Sequence, residues 1–138
     1  MSDERDVVKE SLVDRFQTLV DELLVRHHSV LDVLSKLTES ESRINRAVTK
    51  SVTGCGCIQI QASRQQFFDD VPYDVLHQTV SSHILGQLCH KDRETIEEEM
   101  GQLLFYLTAL ANLLDISLYD TLVRKYNEAN TLVRYYLS

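Results

Sequence analysis

One proline and four glycines in 138 residues leave this chain very little with which to turn. Proline and glycine end helices and build tight reversals, so their scarcity favours long helices over a set of short strands. Tryptophan is absent and aromatic residues make up 7%, so a core has to be assembled from Leu, Val, Ile and Ala. The length suits a single domain, residues 1–138, that buries roughly two-thirds of its unfolded surface.

Apolar residues recurring at steps of three and four mark the buried faces of helices. On that spacing a first helix covers residues 4–26, with Val8, Leu12, Phe16, Leu19 and Leu23 inward and Asp3, Glu4 and Asp6 in its first turn. His27 and His28 mark a polar junction, and Ser29 with Asp32 caps a second helix over 30–51. Its stripe is Val30, Leu34, Leu37, Glu41, Ile44 and Val48, which puts a carboxylate on the apolar face. Pro72 opens a short third helix over 72–84, ended by Gly86. A fourth spans 92–114 on Ile96, Met100, Leu103, Leu107, Leu110 and Leu114, broadened by Leu104 and Ala111. Ser117 and Asp120 cap a fifth over 118–136, with Leu118, Leu122, Tyr126, Ala129 and Val133 inward. Between the second and third helices, Ile58-Gln59-Ile60-Gln61 alternates like a strand without an evident partner in this chain. It either pairs with its own copy in a dimer or forms an extended loop. The expected fold class is all-α, a bundle of four main helices and one short one.

A net charge of −7 excludes nucleic-acid binding by bulk electrostatics, since phosphate contacts need clustered Lys and Arg. An acidic protein that handles an anionic substrate needs a metal ion or a few aimed basic side chains. No stretch reaches the roughly 20 apolar residues of a membrane span, and no charged-then-apolar leader opens the sequence. Three cysteines are too few, and odd in number, for a disulfide framework. These features lead us to expect a soluble cytoplasmic protein.

The fourth helix opens on Glu97-Glu98-Glu99-Met100-Gly101-Gln102 and runs into Leu103-Leu104-Phe105-Tyr106-Leu107. Glu99 and Gln102 lie one turn apart at the edge of the apolar stripe, where a carboxylate can hold Mg²⁺ against substrate phosphates. The plainer alternative is a solvated acidic first turn favoured by the helix dipole.

The run Glu98-Glu99-Met100-Gly101-Gln102-Leu103-Leu104 resembles the second metal-binding motif of the MazG-like nucleoside triphosphate pyrophosphohydrolases, usually Glu-Glu-Leu-Gly-Asp before an apolar run. Leu37 to Arg43 stands in the place of their first motif, Glu-Glu-x-Gly-Glu. Ile116-Ser117-Leu118 and Lys125-Tyr126-Asn127-Glu128 are similar to the family's last helix. The resemblance implies a MazG-like bundle, commonly dimeric or tetrameric. It also implies an Mg²⁺ site at Glu99 and Gln102 with help from Glu98 or Glu41, and phosphate contacts from Lys125, Asn127 and Arg43. The departures are as informative. The family's first pair of ligands falls on Ser40 and Arg43, and its second on Glu99 and Gln102, so that Glu99 alone keeps a carboxylate. Arg43 repels a metal, though it can bind a phosphate directly. Two functions follow: an Mg²⁺-dependent hydrolase of nucleoside triphosphates with rearranged ligands, or a domain that kept the fold and lost the chemistry. The second is preferred, because the site is what has changed.

The cysteines offer a separate chemistry. Cys55 and Cys57 flank Gly56 on a glycine-rich turn, and Cys89 follows with His83, His90 and Asp92 nearby. Three thiolates with one His or Asp satisfy a tetrahedral Zn²⁺, and the alternative is three free thiols. Family members similar to this chain are expected to carry Cys-x-x-Cys where it has Cys89-His90-Lys91-Asp92, which would make Asp92 the replaced ligand. On this basis a non-catalytic regulatory or interaction protein with a structural zinc is the alternative function. A homodimer or higher homo-oligomer is expected, with Phe105, Tyr106 and the terminal Tyr135-Tyr136-Leu137 at its interface.

Overall fold

The computed structural model describes residues 11–25 and 28–137, with side chains through Arg134. Asp3, Glu4, Asp6, Val8, His27 and the side chains of Tyr135, Tyr136 and Leu137 lie outside the described residues. Most of the described chain is helical, as the scarcity of turn-formers requires, with one two-stranded sheet. In chain order the elements are α1 (Leu12–Leu23), α2 (Val30–Lys50), β1 (Ile58–Ile60), α3 (Tyr73–Thr79), β2 (Ile84–Gly86), α4 (His90–Leu113) and α5 (Leu118–Leu137). A wide π-turn, Ser51–Cys55, ends α2.

Helix α1 starts at Ser11, whose hydroxyl accepts from the Asp14 N–H at 3.1 Å. Ser29 caps α2 and Ser117 caps α5 in the same way. The core lies where α1, α2 and α4 meet. Val20, Val33 and Ala109 are fully enclosed there, with Phe16, Leu24, Phe105, Leu110 and Leu113 packed round them. Helices α2 and α4 form the main contact. Small side chains line it: Ser40, Ser51, Thr108, Ala109 and Ala111 are buried. Each buried hydroxyl donates back to the carbonyl four residues earlier, Ser40 to Lys36, Ser51 to Ala47 and Thr108 to Leu104. The backbones can therefore approach without leaving an unpaired hydroxyl.

The inward faces are rotated from those expected. In α1 it is Phe16 and Val20 that face the core, while Leu12, Leu19 and Leu23 are exposed. In α2 the enclosed residues are Val33 and Ser40, and Glu41 points to solvent. In α4 the core side is Ile96, Leu103 and Leu110, whereas Met100, Leu104, Leu107 and Leu114 are exposed. Apolar residues are so frequent in these helices that more than one stripe satisfies the helical period, and small residues decided which one packs. Phe105 and Tyr106, expected at an interface, are half-buried within the chain, and their rings meet edge to face at 5.2 Å.

The third helix is also shorter than expected. Its C-cap is Val80, His83 takes a left-handed φ of 62°, and residues 84–86 become a strand. That strand is the partner Ile58-Gln59-Ile60 lacked on sequence grounds. The pairing is antiparallel, with Ile58 opposite Gly86 and Ile60 opposite Ile84. Gly86 has a φ of 87°, and a Cβ there would stand 2.6 Å from the Cys57 carbonyl oxygen, so only glycine fits.

Candidate metal centre

The small sheet brings two distant parts of the chain together. Gly56 closes the π-turn in the left-handed region (φ 76°), its N–H donating to the Ser51 carbonyl at 2.9 Å, and this turns Cys55 and Cys57 to one side. Pairing of Ile58 with Gly86 then places the start of α4 beside them. Cys89 is the N-cap of α4 and accepts from the Asp92 N–H through its sulfur at 3.4 Å. An N-cap residue and the residue three further on face each other across the first turn, the geometry of a capping box. Cys89 and Asp92 thus present two ligands from one helix start.

The result is a cluster of Cys55, Cys57, Cys89 and Asp92 whose ligand atoms all lie within 4.8 Å of one another. A tetrahedral zinc with ordinary bond lengths has edges of roughly 3.8 Å between two sulfurs and roughly 3.5 Å between sulfur and oxygen. Here Cys55 Sγ and Cys89 Sγ are 3.9 Å apart, and Cys57 Sγ lies 3.2 Å from Asp92 Oδ2. These two edges are within a few tenths of an ångström of the tetrahedral values, and no pair of donors is more than 4.8 Å apart. The cluster can hold a metal ion. The thiols also donate to the Asp92 carboxylate, first Cys57 and then Cys55, which holds its pKa below the ordinary value. The same carboxylate, with Cys89 adding to it, pushes the Cys55 thiol up to about 11.

The other proposed ligands are elsewhere. His83 bonds through Nε2 to the Gln65 amide at 3.3 Å, and His90, its side chain 86% exposed, pairs with Glu94 at 3.0 Å. Of the three candidates for a fourth ligand, Asp92 is the one the fold delivers.

A second feature lies along the α2–α4 contact. A cleft of about 230 Å³ is lined by Lys36, Glu39, Ser40 and Arg43 from α2 and by Glu98, Glu99, Gln102 and Tyr106 from α4. Glu39 bridges Arg43 at 2.9 Å and Lys36 at 3.2 Å, and these donors hold its carboxyl below the usual range. Arg43 is raised in turn, by Glu39 first and by the charge of Glu99 as well. The Oε2 atom of Glu99 is buried without a hydrogen-bond partner. The structure therefore joins Glu98, Glu99, Gln102 and Arg43 in one cleft, and leaves out Glu41, which is exposed on another face of α2. It also leaves out Lys125 and Asn127, which are carried by α5. Lys125 pairs there with Glu128 at 2.8 Å, and Asn127 borders a different, shallow groove.

Lys36 was missed as a member of this cleft, although its spacing of three from Glu39 and the Glu39–Arg43 spacing of four are readable signals. Gln17 was missed altogether. Its amide donates to the Ile116 carbonyl at 2.7 Å and accepts from the Leu118 N–H at 2.9 Å, tying α1 to the turn before α5.

The architecture and the site define a mostly helical protein with a Cys₃Asp cluster that could hold a metal ion, set beside a small two-stranded sheet. No family profile, curated protein or solved structure matches the chain. No single helix among the described residues is long and apolar enough to cross a membrane.

Proposed function

We propose that this chain is a non-catalytic regulatory or interaction domain of MazG-like descent, in which Cys55, Cys57, Cys89 and Asp92 hold a structural Zn²⁺. What supports this reading above all is the convergence of three sulfurs and one carboxylate, from two segments 34 residues apart, to within 4.8 Å. Soft thiolates select zinc over magnesium, and a set of four protein donors leaves no open position for a substrate, which is the mark of a structural site. The zinc would take the place of a hydrophobic core that the π-turn, β1 and β2 cannot build for themselves. It would neutralise the negative charge of the donors, and the N-terminus of α4 would favour their ionised forms. Protein purified under reducing conditions should contain about one zinc per chain. Metal-free protein from zinc-replete cells, with its thiols intact, would defeat the assignment.

A second reading rests on Glu99. Its unpartnered buried oxygen, in a cleft that also holds Lys36, Arg43 and Gln102, is what a nucleotide pyrophosphohydrolase site would keep after losing its other carboxylates. Glu99 and the exposed Glu98 are a weak anchor for Mg²⁺, since Glu39 is taken up by Arg43 and Lys36 and these two cations on the facing helix oppose a further positive charge. The residues present therefore fit the ion poorly. Pyrophosphate release from a panel of nucleoside triphosphates with Mg²⁺, abolished by Glu99→Gln, would restore the catalytic reading. No turnover in either protein is the outcome expected here.

A further inference from the structure

The three thiols of the cluster are not equivalent. Cys55 is exposed, whereas Cys57 and Cys89 are half-buried. Cys57 is engaged by the fold, its sulfur 3.2 Å from the Asp92 carboxylate and 3.8 Å from the Ser51 carbonyl. Cys55 and Cys89 are 34 positions apart in the chain, yet their sulfurs stand 3.9 Å from each other. A disulfide holds its sulfurs at about 2.05 Å, so the pair has roughly 1.9 Å to close. Cys89 is fixed as the N-cap of α4, and the movement falls to Cys55. That residue ends the π-turn between Gly54 and Gly56, and a Cβ built on either glycine meets nothing within 4 Å. The same open space admits a small oxidant to its sulfur.

The alternative pairing is less favourable. A Cys55–Cys57 bond would close a short ring through Gly56, whose N–H is held by the Ser51 carbonyl at 2.9 Å, and would pull Cys57 from both of its partners. An accessible sulfur with a second sulfur beside it is the arrangement of a reversibly oxidised cysteine, in which the first takes up oxygen and the second displaces it.

We propose that Cys55 and Cys89 form a reversible redox site whose substrate is a hydroperoxide, and that their oxidation to a disulfide expels the zinc. The expulsion rests on the zinc reading above, whereas the disulfide rests on the sulfur geometry alone. The Cys55 thiolate attacks a peroxide oxygen. An S–O bond forms and the O–O bond breaks, leaving Cys55 sulfenic acid and an alcohol or water once the departing oxygen takes a proton from solvent. The Cys89 thiolate then attacks the Cys55 sulfur. The S–S bond forms, the S–O bond breaks, and the departing hydroxide takes a second proton to become water. The two sulfurs together lose two electrons, which reduce the peroxide. A disulfide is no longer a thiolate ligand, so the ion keeps only Cys57 and Asp92 of its four donors and leaves. The new bond replaces the ion as the cross-link between the turn after α2 and the start of α4, so the fold persists without the metal. A dithiol reverses the step by exchange and reopens the site.

The test uses the zinc-loaded full chain, freed of reductant and treated with hydrogen peroxide, while a chromogenic chelator reads released zinc and free thiols are counted. Thiols should fall from three to one, with bound zinc lost in step. Non-reducing peptide mapping should show Cys55 joined to Cys89, and dithiol with added zinc should restore both counts. Cys57→Ser keeps both partners and should form the same disulfide, whereas Cys89→Ser should stop at a Cys55 sulfenic acid that dimedone traps. Zinc retained by the oxidised chain, Cys55 over-oxidised without a disulfide, or a bond from Cys55 to Cys57 would each overturn the proposal. If the chain as purified holds no zinc, the structural-zinc reading fails on its own and the metal-free protein decides the redox site. A Cys55–Cys89 bond then upholds it, and unpaired thiols or another pairing overturn it. Should either variant lose its helix content, peptide mapping of the wild type decides alone.

Discussion

Removing the metal is the perturbation that most directly probes how this fold holds together. If Cys55, Cys57, Cys89 and Asp92 close on one zinc, the ion cross-links the end of α2 to the start of α4, and the small sheet between them becomes part of the cooperative unit. A ligand bound to the native state alone stabilises it by about 2.7 kcal/mol when its free concentration is 100 times its dissociation constant. For 138 residues the unfolding entropy near the midpoint is about 0.29 kcal/mol/K. Chelation should therefore lower Tm by about 9 °C at that zinc concentration. Cys57→Ser should start from the lower value and respond little to chelator. Loss of an outer-shell partner already weakens metal sites by about 10- to 100-fold, so loss of a thiolate ligand removes at least that whole increment.

The assay is differential scanning calorimetry at one fixed protein concentration, with and without a tight zinc chelator, in a non-thiol reductant. Binding must also release protons, because each thiol sheds one on becoming a ligand, and Cys55 starts as a thiol with its pKa raised to about 11. Titrations in two buffers of different ionisation enthalpy should show that release, and zinc affinity should rise with pH through the neutral range. A wild-type Tm indifferent to chelator would refute the reasoning even if some zinc co-purified, because an ion bound in that geometry cannot leave the stability unchanged.

Two glycines give opposite tests of the backbone. Gly86→Ala puts a Cβ 2.6 Å from the Cys57 carbonyl at a positive φ, and should cost about 1–3 kcal/mol and weaken zinc binding through the displaced Cys57. Gly101→Ala lies inside α4 with nothing near its new methyl group, and should stabilise by about 0.5–1 kcal/mol. Thermal melts that rank the two the other way would contradict the β1–β2 register. Glu39 should titrate below the ordinary glutamate value, because Arg43 and then Lys36 bond its ionised form. A lowered carboxylate pKa means that the pair supports the fold above the ordinary range and that this support fades as pH falls through the lowered value. Carboxyl-carbon NMR should place the Glu39 midpoint low and show it rising in Arg43→Gln; an ordinary midpoint in the wild type would refute the pairing.

The helices were legible because their signals are local. Serine caps, three- and four-residue spacing and the absence of breakers located α2, α4 and α5 to within a few residues. Which side of each helix faces inward was not, because the period alone is degenerate in a chain this rich in leucine. The choice was made by Ser40, Thr108 and Ala109, whose small volumes let α2 and α4 approach. The sheet was missed for a related reason. A three-residue strand carries almost no pattern, and its partner was absorbed into a helix that ends early at Val80. Of the two candidate sites, the sequence named all four residues of the cysteine cluster but could not choose between Asp92, His83 and His90.

That choice is made by helix geometry. Once Cys89 serves as the N-cap, the residue three positions on is brought to the same side of the first turn, so Cys89-x-x-Asp92 is a metal-ligand spacing in its own right. The aspartate is already the acceptor of the Cys57 thiol at 3.2 Å, the contact a shared ion would replace. Asp92→Cys should then rebuild a four-thiolate site on the same backbone and bind zinc at least as tightly, since the side chain at that position needs only to reach the ion. Asp92→Asn keeps the size and removes the charge, and should bind more weakly. If instead Asp92→Asn bound zinc as well as the wild type, the carboxylate would be a capping residue alone and the fourth ligand would have to come from solvent. That result would turn a closed structural site into one with an open position.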